Sequence, residues 1–179
     1  MVHQQGTAGN EDVVALVGNP RPGSRTLAAA VQVADRLADG ADVTTVDLAT
    51  IGHQLFTADR SLLDPALATV SGARLLVVAT PIYKATYTGL LKSFLDLYGP
   101  DGLAGVVAVP LVVSGGPAHL LAGEVHLRPL LVELGATVPT RALAVTEADL
   151  ADLDPVIDRW LERAYGPLRA ALDVAALSA

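Results

Sequence analysis

Short, unbroken apolar runs alternate with helical patterns along almost the whole chain. The runs are Val13–Val17, Val43–Val46, Leu75–Thr80, Val106–Val113 and the shorter Ala142–Val145. Between the first two, Leu27, Ala30, Val31, Ala34 and Leu37 keep one helical face apolar until Gly40 stops it. A short helix is expected over Asp64–Ser71. A third runs from Thr88 to Tyr98, with Leu91, Phe94, Leu95 and Tyr98 at helical spacing. A fourth spans Ala118–Leu134 and stops at Gly135. The last runs from Asp149 to about Leu172, striped by Leu153, Val156, Ile157, Trp160, Leu161 and Ala164. Strands that alternate with helices need right-handed crossovers and a mainly parallel sheet. Strands that are apolar throughout, not at every second residue, suit a sheet covered on both faces.

Five such strands predict an α/β fold: a doubly wound, flavodoxin-like five-stranded parallel sheet with helices on both faces. Its ligand belongs beyond the carboxyl ends of the strands. The 179 residues fit one domain, read as 13–179, behind a loose tail over 1–12. That tail, MVHQQGTAGNED, has neither the basic nor the apolar region of a signal peptide. No apolar run approaches the roughly 18 residues of a membrane span. The absence of cysteine excludes thiol redox chemistry, cysteine metal sites and disulfides, and points to the cytosol. A net charge of −7 argues against nucleic acid and anionic membranes as partners. The segment Gly52–Leu63 is the least regular and reads as a surface loop near an interface.

Directly after the first run comes Gly18-Asn19-Pro20-Arg21-Pro22-Gly23-Ser24-Arg25-Thr26. Pro20 and Pro22 keep the residues before them out of helical conformation, so the helix starts after Pro22. Ser24 is placed to cap it, and the N–H groups that follow have no partner within the helix. An anion belongs at such a terminus. The Ser24 and Thr26 hydroxyls can donate to phosphate oxygens, and Arg21 or Arg25 can neutralise a dianion. Neither GxxxxGK[ST] nor GxGxxG is present, so a monophosphate fits better than a pyrophosphate. An ordinary capped turn is the plainer alternative.

Two further strand-end loops share the expected crevice. In ATPIYKATYTGLLKSFLD, Pro81, Ile82 and Tyr83 are apolar or aromatic yet lie in a turn, where a flat ring can pack on them, and Lys84 adds charge. Alternatively Ile82 and Tyr83 close the core and Lys84 faces water. After the fourth run, Ser114-Gly115-Gly116 lets a ligand approach the backbone closely. His119 reads as a surface histidine. A phosphate cradle, a ring platform and a glycine edge together suit flavin mononucleotide (FMN), whose ring carries the redox chemistry itself. No Ser-His-Asp order, carboxylate pair or metal-ligand cluster stands out, so no catalytic side chain and no metal ligand is assigned.

GNPRPGSRT, ATPIYKATYTGLLKSFLD and SGGPAHLLAGEVHLRPLL resemble the NADPH-dependent FMN reductase family. Within it the nearest resemblance is to the flavin reductases of two-component alkanesulfonate monooxygenases. It spans Val13 to about Thr146, and the TP-x-YKA-x-Y-x-G core is its most specific part. The resemblance implies NADPH- or NADH-driven reduction of FMN, with reduced flavin passed to a flavin-dependent monooxygenase. By position, Ser24, Arg25 and Thr26 would hold the phosphate, beside Asn19 and Arg21. Pro81, Ile82, Tyr83 and Lys84 would contact the ring, and Ser114, Gly115 and Gly116 its other side. It further implies a homodimer or homotetramer, to which Asp96 and Tyr98 could contribute. Relatives carry a π-type insertion, marked in some by a tyrosine, where this chain reads Gly123-Glu124-Val125-His126. The tyrosine is missing here, but Pro129 lacks an N–H and would clash with the Val125 carbonyl, so a kinked helix is expected.

Two other readings remain open at this level. One is an enzyme that keeps FMN bound and passes electrons to quinones or azo dyes. The other is a flavodoxin-type carrier, disfavoured by an aromatic content of 4%.

Overall fold

The computed structural model describes residues 13–178, so the expected tail lies outside the described residues. Five parallel strands form one sheet: β1 (Val13–Val17), β2 (Val43–Asp47), β3 (Leu75–Pro81), β4 (Val107–Ser114) and β5 (Leu143–Thr146). Their order is β2-β1-β3-β4-β5, the flavodoxin-like arrangement.

The strands are apolar throughout because each feeds two cores. Val14, Leu16, Leu76, Val78, Ala108 and Val112 pack against α3 (Leu63–Ser71), α4 (Gly89–Leu95) and α5 (Arg128–Glu133). Val13, Ala15, Val17, Leu75, Val77, Val107 and Val109 pack against α1 (Arg25–Ala38) and α6 (Asp154–Ser178). The two outer helices of the second core are also tied by charge. Arg36 on α1 pairs with Asp154, at 3.1 Å, and with Asp158 on α6.

Pro110 sits inside β4, a central strand, where a proline normally breaks the ladder. The Ala108 N–H reaches the Thr137 carbonyl, and the Glu147 N–H reaches the Ser114 carbonyl. The backbone N–H and C=O groups of even-numbered β4 residues therefore face β5. Pairing with β5 starts only at Leu111–Leu143. The missing N–H of Pro110 falls in the gap between that start and the Val107–Thr137 bridge.

Side chains hold the backbone groups that flank and end β5. Glu124 accepts from the Ala142 N–H at 2.6 Å, Asp149 from the Thr146 N–H at 2.7 Å, and the Trp160 indole N–H donates to the Arg141 carbonyl at 3.0 Å.

Several elements differ from expectation. A short helix, α2 (Leu48–Ile51), was not foreseen; Asp47 caps it by accepting from the Ala49 N–H. The irregular segment after it is held by Gln54, which is buried and binds Asp59, Ser61 and the Leu62 N–H. The expected helix over Ala118–Leu134 is three pieces: a 3-10 turn at Pro117–His119, a π-helix at Gly123–Leu127, and α5. Pro129 cannot donate to Val125, and the Arg128 N–H reaches back to the Gly123 carbonyl in the wider register. His126 and His119 are exposed. The last helix starts later than expected because Asp149 turns back to bind Thr146, leaving a separate 3-10 turn at Asp149–Ala151.

Candidate functional site

The direction of winding reverses between β1 and β3, and a crevice of about 270 Å³ opens there at the carboxyl ends of the strands. Three loops wall it. The first contributes Asn19, Arg21, Pro22, Gly23, Ser24, Arg25 and Thr26. The second contributes Pro81, Ile82 and Tyr83. The third contributes Gly115, with Val113 below and Glu147 opposite.

In the first loop, the Ser24 hydroxyl oxygen accepts from the Leu27 N–H at 3.1 Å and starts α1. Asn19 and Thr26 are almost fully buried, 6% and 2% exposed, and Asn19 donates its amide N–H to Thr26 Oγ1 at 3.0 Å. The Asn19 side-chain oxygen, Oδ1, accepts from the Arg21 N–H at 3.0 Å. Asn19 is thus a brace that shapes the loop. Both hydroxyls serve the loop as acceptors and keep their protons for donation elsewhere. The Arg25 and Thr26 N–H groups lie in the first turn of α1, with no helical carbonyl to bind.

The second loop is pinned to the first. Thr88, at the N-terminus of α4, donates its hydroxyl to the Gly18 carbonyl at 2.5 Å and accepts from the Leu91 N–H at 3.1 Å. Its own N–H donates to Thr80 Oγ1 at 3.2 Å. Gly18 has no room for a side chain, since a Cβ there would lie 2.6 Å from Leu91 Cβ. The turn Tyr83-Lys84-Ala85-Thr86 is closed by the Tyr83 N–H on the Thr86 carbonyl at 2.9 Å. Lys84 and Ala85 both take left-handed backbone angles, φ 53° and 68°. Two non-glycine residues in that region store strain beside the crevice. Tyr83 remains exposed at its rim.

Lys84, Ser114 and Gly116 stand outside the lining. Lys84 projects from the strained turn and is exposed. The Ser114 hydroxyl donates to the Gly116 carbonyl at 2.6 Å, so it fixes the third loop. Asp96 and Tyr98 have local partners: Asp96 pairs with Lys92 at 2.5 Å, and Tyr98 donates to the Leu67 carbonyl at 2.8 Å and meets Phe94 edge-on. Burial pushes the Tyr98 phenol well above its ordinary value.

Sequence reasoning did not find Glu147 or Thr88 in these roles. Glu147 follows β5, and its carboxylate pairs with Arg25 at 2.9 Å across the crevice mouth. A position one past a strand end was the only signal available. Thr88 carried a clearer one, a threonine directly before a helix. Among the described residues, no group of His, Asp and Glu is placed to hold a metal.

A parallel sheet in this order, with its crevice at the reversal point and a capped helix aimed into it, defines a flavodoxin-like nucleotide-binding protein. The NADPH-dependent FMN reductase family matches residues 12–149, and the chain belongs to that family. It is 35% identical over 172 residues to FMN reductase (NADPH) of Escherichia coli K12, covering 91% of this chain and 85% of that protein. It is 34% identical over 148 residues to the NADH-dependent FMN reductase SfnE of Pseudomonas putida, covering 79% and 80%. Among solved structures, NADH:FMN oxidoreductase (EMOB) in its apo form superposes with a TM-score of 0.74 at 33% identity, covering 94% and 89%.

Proposed function

We propose that this protein is an NAD(P)H:FMN oxidoreductase that supplies reduced flavin to a partner flavin-dependent monooxygenase. The observation that carries the reading is the crevice itself: a helix start with free N–H groups and Arg25 at one end, and the Pro81-Ile82-Tyr83 shelf at the other. Those residues fit FMN. The N–H groups of Arg25 and Thr26 and the two hydroxyl protons would donate to the phosphate, and Arg25 would match its charge. The shelf would support the ring, with the edge at Gly115 facing it. A Cβ on Gly115 would meet nothing within 4 Å, so this edge is open to a ligand.

When bound, the flavin supplies the hydride chemistry. The chain's own part is to orient it, to neutralise its phosphate and to leave one ring face accessible to the pyridine nucleotide. No side-chain acid or base is required, in keeping with a lining whose ionisable groups are Arg21, Arg25, Tyr83 and Glu147. The monooxygenase partner is supported by the resemblance of GNPRPGSRT, ATPIYKATYTGLLKSFLD and SGGPAHLLAGEVHLRPLL to the flavin reductases of two-component systems. A homo-oligomer is supported by Leu121, Val125 and Val132, large apolar residues exposed around the π-helix and α5. A cytoplasmic setting is supported by the lack of cysteine; among the described residues, no helix is long and apolar enough to cross a membrane.

The test is NAD(P)H oxidation by flavin-free protein, with and without added FMN. Strict dependence on FMN, saturating at micromolar levels, is expected. A protein that retains FMN through purification and turns over only with a quinone or dye would be an FMN-holding reductase instead.

A further inference from the structure

Arg25, the cation best placed for the flavin phosphate, already has a partner. Glu147 holds it at 2.9 Å, with the two side chains 65% and 51% exposed. The position of Glu147 is built by the fold. Its backbone N–H donates to the Ser114 carbonyl at 2.8 Å, which continues the β5 ladder one residue past the strand. The residue before it, Thr146, is clamped through both N–H and hydroxyl by the Asp149 carboxylate at 2.7 Å. The Glu147 carboxylate is therefore delivered to the crevice mouth by two backbone anchors, not by a wandering loop. It lines the same crevice as Ser24, Arg25 and Thr26.

We infer that Glu147 competes with the flavin phosphate for Arg25 and so sets how loosely FMN is held; this rests on the FMN-reductase reading above. A phosphate entering the helix start must share or displace the carboxylate on Arg25, and the displaced carboxylate adds like-charge repulsion. An exposed ion pair is weak, so the competition lowers affinity without closing the site. That balance suits a flavin that has to leave after reduction. The competition acts on the phosphate alone, so riboflavin, which has none, is indifferent to Glu147.

The experiment is a flavin-fluorescence titration of the full chain and its Glu147→Gln variant with FMN and with riboflavin. The expected result is FMN binding tightened by roughly two- to fivefold in the variant, with riboflavin unchanged. In an Arg25→Ala background the same Gln substitution should tighten FMN clearly less, because the contested cation is gone and only the carboxylate's repulsion of the phosphate is left to remove. Glu147 is exposed and its carboxylate faces Arg25, so the variant is expected to fold normally, as circular dichroism would check. Unchanged or weaker FMN binding in Glu147→Gln overturns the competition while leaving the reductase reading intact, as does a full-sized effect persisting without Arg25. If the unmodified protein binds neither flavin and FMN does not stimulate NAD(P)H oxidation, the reading and the competition fall together.

Discussion

Thr88 Oγ1 donates to the Gly18 carbonyl, joining two crevice loops that lie 70 residues apart in sequence. The same oxygen caps α4 through the Leu91 N–H. One hydroxyl thus fixes the distance between the first loop and the shelf. Thr88→Val should cost about 1–2 kcal/mol through the lost cap and an unsatisfied Gly18 carbonyl. Urea denaturation would measure it. Thr88→Ser, which keeps the hydroxyl, should recover most of the loss.

Gly18 and Gly115 should respond oppositely to alanine. At Gly18 the new methyl would meet Leu91 Cβ at 2.6 Å, in a packed core. Overpacking of that kind costs about 1–3 kcal/mol. At Gly115 nothing lies within 4 Å, so Gly115→Ala should leave the melting temperature unchanged and raise the FMN dissociation constant. An unaltered FMN affinity in that variant would remove Gly115 from the ring contact.

The strained turn predicts a gain. Ala85 has φ 68°, a conformation that disfavours a side chain by about 1–2 kcal/mol. Ala85→Gly relieves this but loosens the unfolded chain, leaving a net gain of about 0.5–1 kcal/mol. Thermal denaturation should show a rise of roughly 1–4 °C.

Arg25→Ala tests the phosphate cradle. Loss of a charge-assisted partner should weaken FMN by roughly ten- to a hundredfold, with riboflavin little changed. Titration with both flavins measures the ratio; equal losses would place the phosphate elsewhere.

Acid should loosen the end of β5. Hydrogen bonds from the Thr146 N–H, first, and its hydroxyl hold the Asp149 carboxyl below the usual carboxylate range. A carboxyl lowered in the folded state contributes stability fully above its unfolded value of about 4, and loses it as pH falls through the folded value. The Asp149→Asn variant should therefore lose stability at pH 7 and show a shallower decline below pH 4. Denaturation midpoints across pH 2–7 would check both.

Much of the fold was legible because burial on both faces leaves unbroken apolar strands. The run Val13–Val17 matches β1 to the residue, and the bounds of the other strands differ by at most one. Over Ala118–Leu134 the expected kink is present, but the division into three pieces was not legible because periodicity does not report hydrogen-bond register. Leu127, Leu131 and Leu134 keep a buried face whether the turn before them is α or π. Pro129 and the π-type insertion implied by the family resemblance were the signals of the break. In the site, loop chemistry revealed Ser24, Arg25 and Thr26, since a capped helix start is a local property. Glu147 was invisible because its role depends on β5 lying next to β4, a neighbour relation that no local pattern carries.

The side chains along the β5 edge also decide how this protein can meet its own kind. An open strand edge is a template on which another copy can add, the first step toward ordered aggregates. Here β5 is only 4 residues long, and Glu124 and Trp160 hold the Ala142 N–H and the Arg141 carbonyl just before it while Asp149 holds the Thr146 N–H at its end. A strand from another copy would have to break those contacts at both ends of β5 before it could pair along its length.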